Sequence, residues 1–317
     1  AGRRFLALWF PHLPTDRLRL RPAGDGPASR AERPLVLVHR AGNALRLQAV
    51  CPRALALGLT VGLPLADARA RMGGGAQAAD RLEVADADPA ADARLLGELA
   101  GQALRWSPIV APEPPDSLLL DISGCAHLFG GEAGLAADVQ ARLAPGFART
   151  LALAATPAAA WALARWRPLP AGASAEMERL AIGQLPVAAL RLEATSELAL
   201  RRAGLKRIAD LADRPTAPLA ARFGAPAVAA LDRLLGRADM RLSPLRPAPA
   251  LLFARRFAEP LGHVDGVRAA LGDLAADACA ALDRRGAGGR RFEALLCRTD
   301  GVLRALAVET GQPTRDP

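Results

Sequence analysis

Tyrosine is missing from this 317-residue chain and lysine occurs once, at Lys206, so the basic charge is almost all arginine. Ala, Arg, Gly and Pro are in excess, which belongs in part to gene base composition. The net charge of +9 therefore supports a polyanionic partner without proving one. Cysteine is scarce. Cys51, Cys125, Cys279 and Cys297 form no C-x-x-C pair, which argues against a disulfide framework or a zinc site and leaves buried thiols. No apolar run approaches the length of a bilayer span. The opening AGRRFLALWF lacks the apolar core and cleavage pattern of a signal peptide, so the expected compartment is the cytoplasm.

The motifs of familiar small-molecule chemistry are also missing. There is no G-x-x-x-x-G-K-[ST] phosphate loop, G-x-G-x-x-G fingerprint, G-x-S-x-G elbow or H-E-x-x-H zinc motif. His12, His39, His127 and His263 stand alone, and His127 near Cys125 lacks the further ligands a metal needs. These histidines read as structural or exposed.

What is present is a folding composition, 51% apolar and 23% charged, on a chain long enough for about two to four units. Phe5 to Phe10 suits a buried strand, followed by a helix near Thr15 to Leu20 for which Thr15 serves as cap. After a Gly/Pro-rich loop from Arg21 to Arg33, strands Leu35 to His39 and Ala44 to Val50 flank a three-residue connection. Two short Ala/Leu helices around Gly58 to Pro64 and a break at Gly73 to Gly75 follow. From Arg81 the pattern runs Leu82 to Ala85 (strand), Pro89 to Arg105 (helix), Ile109 to Ala111 and Leu118 to Ile122 (strands), Glu132 to Leu143 (helix) and Thr150 to Ala154 (strand). This predicts an α+β sheet with helices on one side, into which the first strand can pair.

Beyond Pro168 the chain reads as helical to about Gly236. Within it LALRRAGLKRIADL, Leu198 to Leu211, has the form of a helix-hairpin-helix that offers backbone amides and Arg201, Arg202, Lys206 and Arg207 to a phosphate; an ordinary helical joint fits equally well. Leu242 to Ala250 carries three prolines and reads as a linker. A last unit pairs a strand at Leu251 to Phe257 with a helix striped by Val267, Leu271, Leu274, Ala278 and Leu282, then strands Arg291 to Arg298 and Leu303 to Glu309. It reads as unfinished, and Arg255, Arg256, Arg290 and Arg291 are its candidates for contact with a polyanion, with a solvated face as the alternative.

The most informative segment is PEPPDSLLLDISGCAHLFGG, Pro112 to Gly131, in which Asp116 precedes an apolar strand ending in Asp121. It resembles the palm strand of Y-family (translesion) DNA polymerases, S-I-D-E-A-Y-L-D-V-T-G. Ala56 to Pro64 (ALGLTVGLP) is similar to that family's F-G-V-R-S-G-M-P fingers segment. The resemblance covers essentially the whole chain and implies an α+β multidomain right hand. Residues 1–10 and 76–167 would be palm-like, 11–75 fingers-like, 168–240 a helical thumb with the helix-hairpin-helix, 241–250 a linker, and 251–317 a partial little finger.

Two-metal nucleotidyl transfer needs carboxylates that hold both Mg²⁺ ions. Where the family has its first metal-binding aspartate this chain has Trp9, and where it has D-E it has Asp116-Ser117. The triphosphate-gripping tyrosine and arginine correspond to Pro52 and Leu55, and the sugar-screening aromatic to Pro14. The opening L-W-F-P-x-L-x-T-D-R-L is similar to the non-catalytic ImuB-type branch. That likeness implies no Mg²⁺ cofactor and a role in damage-induced mutagenesis in the bacterial cytoplasm, at the nucleoid. The implied partners are DNA, a RecA-like ImuA protein, an error-prone C-family polymerase and the sliding clamp.

Gln184-Leu185-Pro186-Val187 resembles a Q-L-x-L clamp-binding peptide, but a helix exit broken by Pro186 fits it better, and the clamp motif is expected beyond residue 317. Two enzymatic alternatives stand beside the scaffold. One is an active lesion-bypass polymerase that recruits Asp16 or Asp121 alongside Asp116, although strand alternation puts Asp121 and Asp116 on opposite faces. The other is a helix-hairpin-helix repair glycosylase using Asp210 or Asp213.

Overall fold

The computed structural model describes residues 2–20, 33–73, 81–245 and 251–316. The loop predicted from Arg21 to Arg33 lies outside the described residues except for Arg33. So do Gly74 and Gly75 of the glycine break and 246–250 of the linker. The chain forms two compact units, Ala1–Arg246 and Pro247–Pro317.

The first unit is organised by β1 (Phe5–Trp9), whose sequence FLALW is apolar at every position because both of its faces are covered. Phe5, Ala7 and Trp9 point into one core and Leu6 and Leu8 into another, the alternation a strand imposes. After β1 comes α1 (Leu13–Arg19), with Pro14 in its first turn. Its cap position is His12. Thr15 is not the cap: it is buried inside the first turn, and its hydroxyl donates back to the His12 carbonyl at 3.0 Å.

Strands β2 (Leu35–Ala41) and β3 (Ala44–Val50) form a hairpin closed by the two residues Gly42-Asn43, one fewer than the predicted Ala41-Gly42-Asn43 because Ala41 belongs to β2. Helices α2 (Pro52–Ala56) and α3 (Leu65–Arg71) pack with it around a separate core. The strand predicted at Leu82 to Ala85 forms as β4 (Glu83–Asp86), but it pairs parallel with β2 and extends this small sheet to the order β3-β2-β4.

Helix α4 (Pro89–Ala103) starts with Pro89 in its first turn and Asp88 accepting from the Ala91 amide at 2.9 Å. Strands β5 (Val110–Glu113) and β6 (Ser117–Asp121), helix α5 (Glu132–Arg142) and strand β7 (Thr150–Ala154) follow. The main sheet has the order β5-β6-β1-β7, all antiparallel, so the opening strand does pair into it. Helices cover both faces rather than one. Leu96, Leu99, Leu135 and Val139 of α4 and α5 lie on the Leu6/Leu8 side, while α6 (Pro157–Trp166) lies across Phe5, Ala7 and Leu119.

Helix α6 was not foreseen, although Thr156 before Pro157 is a helix start and accepts from the Ala159 amide at 3.0 Å. Its alanines let it lie close to the sheet. Helices α7 (Ala175–Gln184), α8 (Ala194–Arg202), α9 (Ala209–Ala212), α10 (Thr216–Phe223) and α11 (Ala225–Leu234) complete the unit and share the α6 core.

The second unit has α12 (Val264–Arg284) and a hairpin of β8 (Gly289–Cys297) and β9 (Leu303–Thr314). The predicted stripe on α12 is half-buried, with Leu282 fully buried. Leu251 to Phe257 is not a strand: among the described residues β8 and β9 pair only with each other.

One ionic hub ties β1 to two helices. The Arg4 guanidinium donates to Glu132 at 2.7 and 3.0 Å and to Glu178 at 2.7 Å, and buried Glu178 also accepts from the Ala155 amide at 2.7 Å. The Glu132 bonds in particular hold Arg4 charged above its ordinary range. Replacing Glu178 with alanine strands Arg4 and an amide, and should cost about 3 kcal/mol. Urea unfolding at neutral pH measures it; an unchanged midpoint contradicts the hub.

Candidate functional site

In the antiparallel register Trp9 stands opposite Ser117 on one side and Thr150 on the other. The Phe10 amide donates to the Asp116 carbonyl at 2.9 Å, so the end of β1 meets the residue just before β6. The Trp9 indole Nε1–H donates to Asp116 Oδ2 at 3.0 Å, and the Ser117 hydroxyl donates to Asp116 Oδ1 at 3.1 Å. The sequence-selected trio Trp9, Asp116 and Ser117 is therefore one cluster.

The central group of this cluster is one the sequence reading missed. Helix α6 runs back along the sheet toward the Trp9 end, where the Thr150 hydroxyl donates to the Ala164 carbonyl at 2.6 Å. This delivers Arg165. Its guanidinium pairs with both oxygens of Asp116, by close contact to Oδ1 and at 3.4 Å to Oδ2, and donates to the Ser117 hydroxyl at 3.0 Å. The same guanidinium lies 5.0 Å from the Trp9 ring and 4.2 Å from Trp161, one helical turn earlier on α6. Arg191 stands 4.5 Å from Trp161 and pairs with Glu113 at 2.9 Å. Arg165 and Asp116 keep 13% and 22% of their side-chain exposure, so their attraction is only partly screened.

Divalent-metal chemistry asks for converging carboxylates. Here a single carboxylate has a guanidinium, an indole N–H and a hydroxyl around it, a donor set that does not fit a Mg²⁺ pair. Among the described residues no group of three or more His, Cys, Asp or Glu side chains is placed to hold a metal ion.

The alternative acids do not join it. Asp16 is buried and accepts from the Ala148 amide at 3.0 Å; burial pushes its carboxyl up, against the pull of that amide, His12 and Arg19. Asp121 sits at the far end of β6 opposite Phe5, bound to Ser123 and Arg3. Partial burial is its largest single influence and acts upward, yet those hydrogen bonds together hold it below the ordinary range.

Pro14, in the first turn of α1, is half-buried; Pro52 and Leu55, on α2, are exposed. The isolated histidines stay apart from the cluster. His12 bonds to the Val50 carbonyl at 2.9 Å, and His263 is the cap residue of α12.

Helix α8, a turn at Ala203-Gly204 and α9 do form a helix-hairpin-helix, with Gly204 at φ +80° where a side chain would be strained. Arg201, Arg202, Lys206 and Arg207 are all exposed on it. The expectation that its backbone amides face a phosphate needs correction. The Lys206 and Arg207 amides both donate to Asp210 at 2.8 Å, holding that carboxyl below its ordinary range, and the Gly204 and Leu205 amides bond to Arg201 and Leu200 carbonyls. Only the side chains remain for a ligand.

Gln184 to Val187 is built into the fold: Leu185 and Val187 are buried, and their backbone bonds to Ile208 and Lys206. In the second unit Arg255 pairs with Asp273 and Asp277, Arg290 donates to the Gly311 carbonyl, and Arg291 pairs with Glu293 and Glu309; Arg256 is exposed.

Two outcomes follow from this geometry. Arg165→Ala leaves Asp116 partly buried without its cation and should lower stability by about 2 kcal/mol. The double replacement Asp116→Ala/Arg165→Ala should lose less than the two single losses added, as a thermodynamic cycle would reveal. For Asp16 the folded pKa lies above the unfolded one, so the cost of its buried charge is full above the folded value and fades as pH falls toward the ordinary aspartate range. Asp16→Asn, which can still accept from Ala148, should therefore stabilise the fold at neutral pH and lose that advantage in acid, as urea midpoints across pH would show.

No family model matches the chain. Two strains of Caulobacter vibrioides, NA1000 / CB15N and ATCC 19089 / CIP 103742 / CB 15, each carry a protein called "Protein ImuB" that is 42% identical over 244 residues. The match takes in 75% of this chain and 53% of each relative, so the chain spans about half the length of the curated relatives it matches. Among solved structures, DinB from Sulfolobus solfataricus aligns at TM-score 0.58 and 13% identity, covering 98% of this chain and 88% of that one. A post-insertion binary complex of Dbh DNA polymerase aligns at 0.60 and 13%, covering 98% and 89%. Among the described residues no helix is long and apolar enough to cross a membrane. The chain thus has the α+β right-hand fold of the Y-family DNA polymerases and is related in sequence, at moderate identity, to ImuB.

Proposed function

We propose that this chain is a DNA-binding scaffold of translesion synthesis that carries the polymerase fold without performing nucleotidyl transfer. The observation that carries the reading is the occupation of Asp116 by Arg165. The carboxylate that a polymerase of this fold would present to Mg²⁺ is neutralised by a side chain on α6, and Trp9 and Ser117 stand where further acids would be needed. Pro14, Pro52 and Leu55 supply neither the aromatic screen nor the charged grip that an incoming nucleotide requires.

In this reading Arg201, Arg202, Lys206 and Arg207 contact DNA phosphates through their side chains, joined by Arg255, Arg256, Arg290 and Arg291. Arg202, Lys206 and Arg207 are the better contacts, because Arg201, Arg255 and Arg291 already have acidic partners. The likeness to ImuB supports a place beside a RecA-like ImuA protein, an error-prone C-family polymerase and the sliding clamp in damage-induced mutagenesis. With Leu185 and Val187 buried, the Gln184 to Val187 segment is a poor clamp ligand, so clamp contact is assigned elsewhere in the protein. The domain reading follows the same frame, with palm-like, fingers-like, thumb-like and little-finger-like parts, and β4 grouped with the fingers-like sheet.

Primer extension with Mg²⁺ or Mn²⁺ should yield no incorporation, whereas synthesis abolished by Asp116→Ala would overturn the scaffold. DNA binding should weaken steeply with salt, and Arg202→Ala/Lys206→Ala/Arg207→Ala should flatten that dependence by roughly two to three phosphate contacts. Fluorescence anisotropy against salt concentration reads both.

A further inference from the structure

Leu242 to Leu245, within the proline-rich stretch that reads as a linker, is docked on the first unit. Arg237 fixes where the docked segment starts: its guanidinium donates to the Ala212 carbonyl at 2.8 Å and its amide to the Asp232 carbonyl at 2.8 Å. Beyond it the chain meets the main sheet at β5, the edge strand in the order β5-β6-β1-β7. Met240 and Leu242 pack half-buried against the core on the Phe5/Ala7 side, whereas Leu245 packs half-buried against the core on the Leu6/Leu8 side. The Leu245 amide donates to the Val110 carbonyl of β5 at 2.6 Å. Asp239 to Leu245 therefore wraps the edge of the sheet from one face to the other, while Arg241 and Ser243 stay exposed between the apolar anchors.

Two kinds of contact with different responses to solvent hold this segment. The apolar anchors do not depend on salt. The Asp239 carboxylate accepts from Arg3 at 2.8 Å, and with 67% and 51% of their side chains exposed this pair is screened by salt. Arg3 keeps Asp121 as a second partner at 3.2 Å, so letting go of Asp239 does not strand its charge. Among the described residues the segment adds no strand to the sheet, and its half-buried anchors place it at the low-stability end of the fold.

We propose that Asp239 to Leu245 is a releasable strap, latched by the Arg3–Asp239 pair, whose undocking sets how far the second unit can reach from the first. Docked, the connection between the units starts at Leu245. Undocked, it starts at Ala238, which adds up to roughly 25 Å of chain at ~3.3–3.6 Å per residue. Release also bares the edge of β5, which the docked strap shields from pairing with another chain.

The test is limited trypsin digestion of the full chain at rising NaCl, with rates normalised to a free peptide substrate. Cleavage after Arg241 needs an extended, lifted strap, and Arg246 is followed by Pro247 and does not compete. The unaltered chain should be cut slowly at low salt and faster as salt screens the latch. Asp239→Ala should be cut roughly twofold to fivefold faster at low salt, the worth of an exposed ion pair, with its salt dependence flattened. Leu242→Asp should be cut roughly tenfold faster or more, because a docked aspartate there would sit half-buried without a partner. Asp239 is exposed, so thermal unfolding should show Asp239→Ala folded even if Leu242→Asp is not. An unaltered chain cut as fast as folded Leu242→Asp overturns the docking. Asp239→Ala cut no faster than the unaltered chain, or with the full salt dependence, overturns the latch. Small-angle scattering reads the reach: folded Leu242→Asp should have a larger maximum dimension than the unaltered chain, and an unchanged one overturns that role.

Discussion

The burial of β1 on both faces is the constraint from which the first unit is built. An apolar strand five residues long, paired on each side, has to place alternate side chains into two cores and cannot slip by one residue without exchanging them. That fixed register sets Trp9 opposite Ser117 and next to Asp116. It also places Phe5 opposite Asp121 at the other end, so the two aspartates of the Asp116–Asp121 stretch serve different neighbourhoods.

From this follows the character of the cluster at the end of the strand. A lone carboxylate that is mostly withdrawn from water must find a cation or hydrogen-bond donors, because an unpaired buried charge is costly. Arg165 supplies the charge, Trp9 and Ser117 the remaining donors, and Trp161 a second aromatic face for the guanidinium. The cation is covalently part of the chain and is held by α6. The same helix covers the Phe5 and Ala7 face of the sheet.

Charge elsewhere is arranged on a different principle. Arg4 and Glu178 are spent on holding the start of β1 to α5 and α7, and Arg17 is paired with Asp92 in the core between α1 and α4. The hairpin cations between α8 and α9 remain exposed, while its amides are closed off by Asp210. A positive net charge is thus a poor guide by itself to where a polyanion can bind.

Much of the architecture was legible from residue order. FLALW, the Ala44 to Val50 and Thr150 to Ala154 strands, α4, α5 and the helix-hairpin-helix follow from apolar periodicity, caps and Gly/Pro punctuation, whereas Trp9, Asp116 and Ser117 were singled out by the resemblance to the Y-family palm motifs. Which sheet a strand joins was not legible. Glu83 to Asp86 reads as a strand in any context, and only its parallel pairing with β2 separates it from the main sheet. Thr15 looks like a cap until Pro14 and His12 shift the helix start. Arg165 is the sharpest case: its helix is announced by Thr156 and Pro157, but nothing local says that a residue 49 positions after Asp116 reaches its carboxylate. Local sequence determines periodicity and caps because these depend on neighbours in the chain. Long-range pairing of a charge depends on how strands and helices are laid beside one another, and only the tertiary structure decides that.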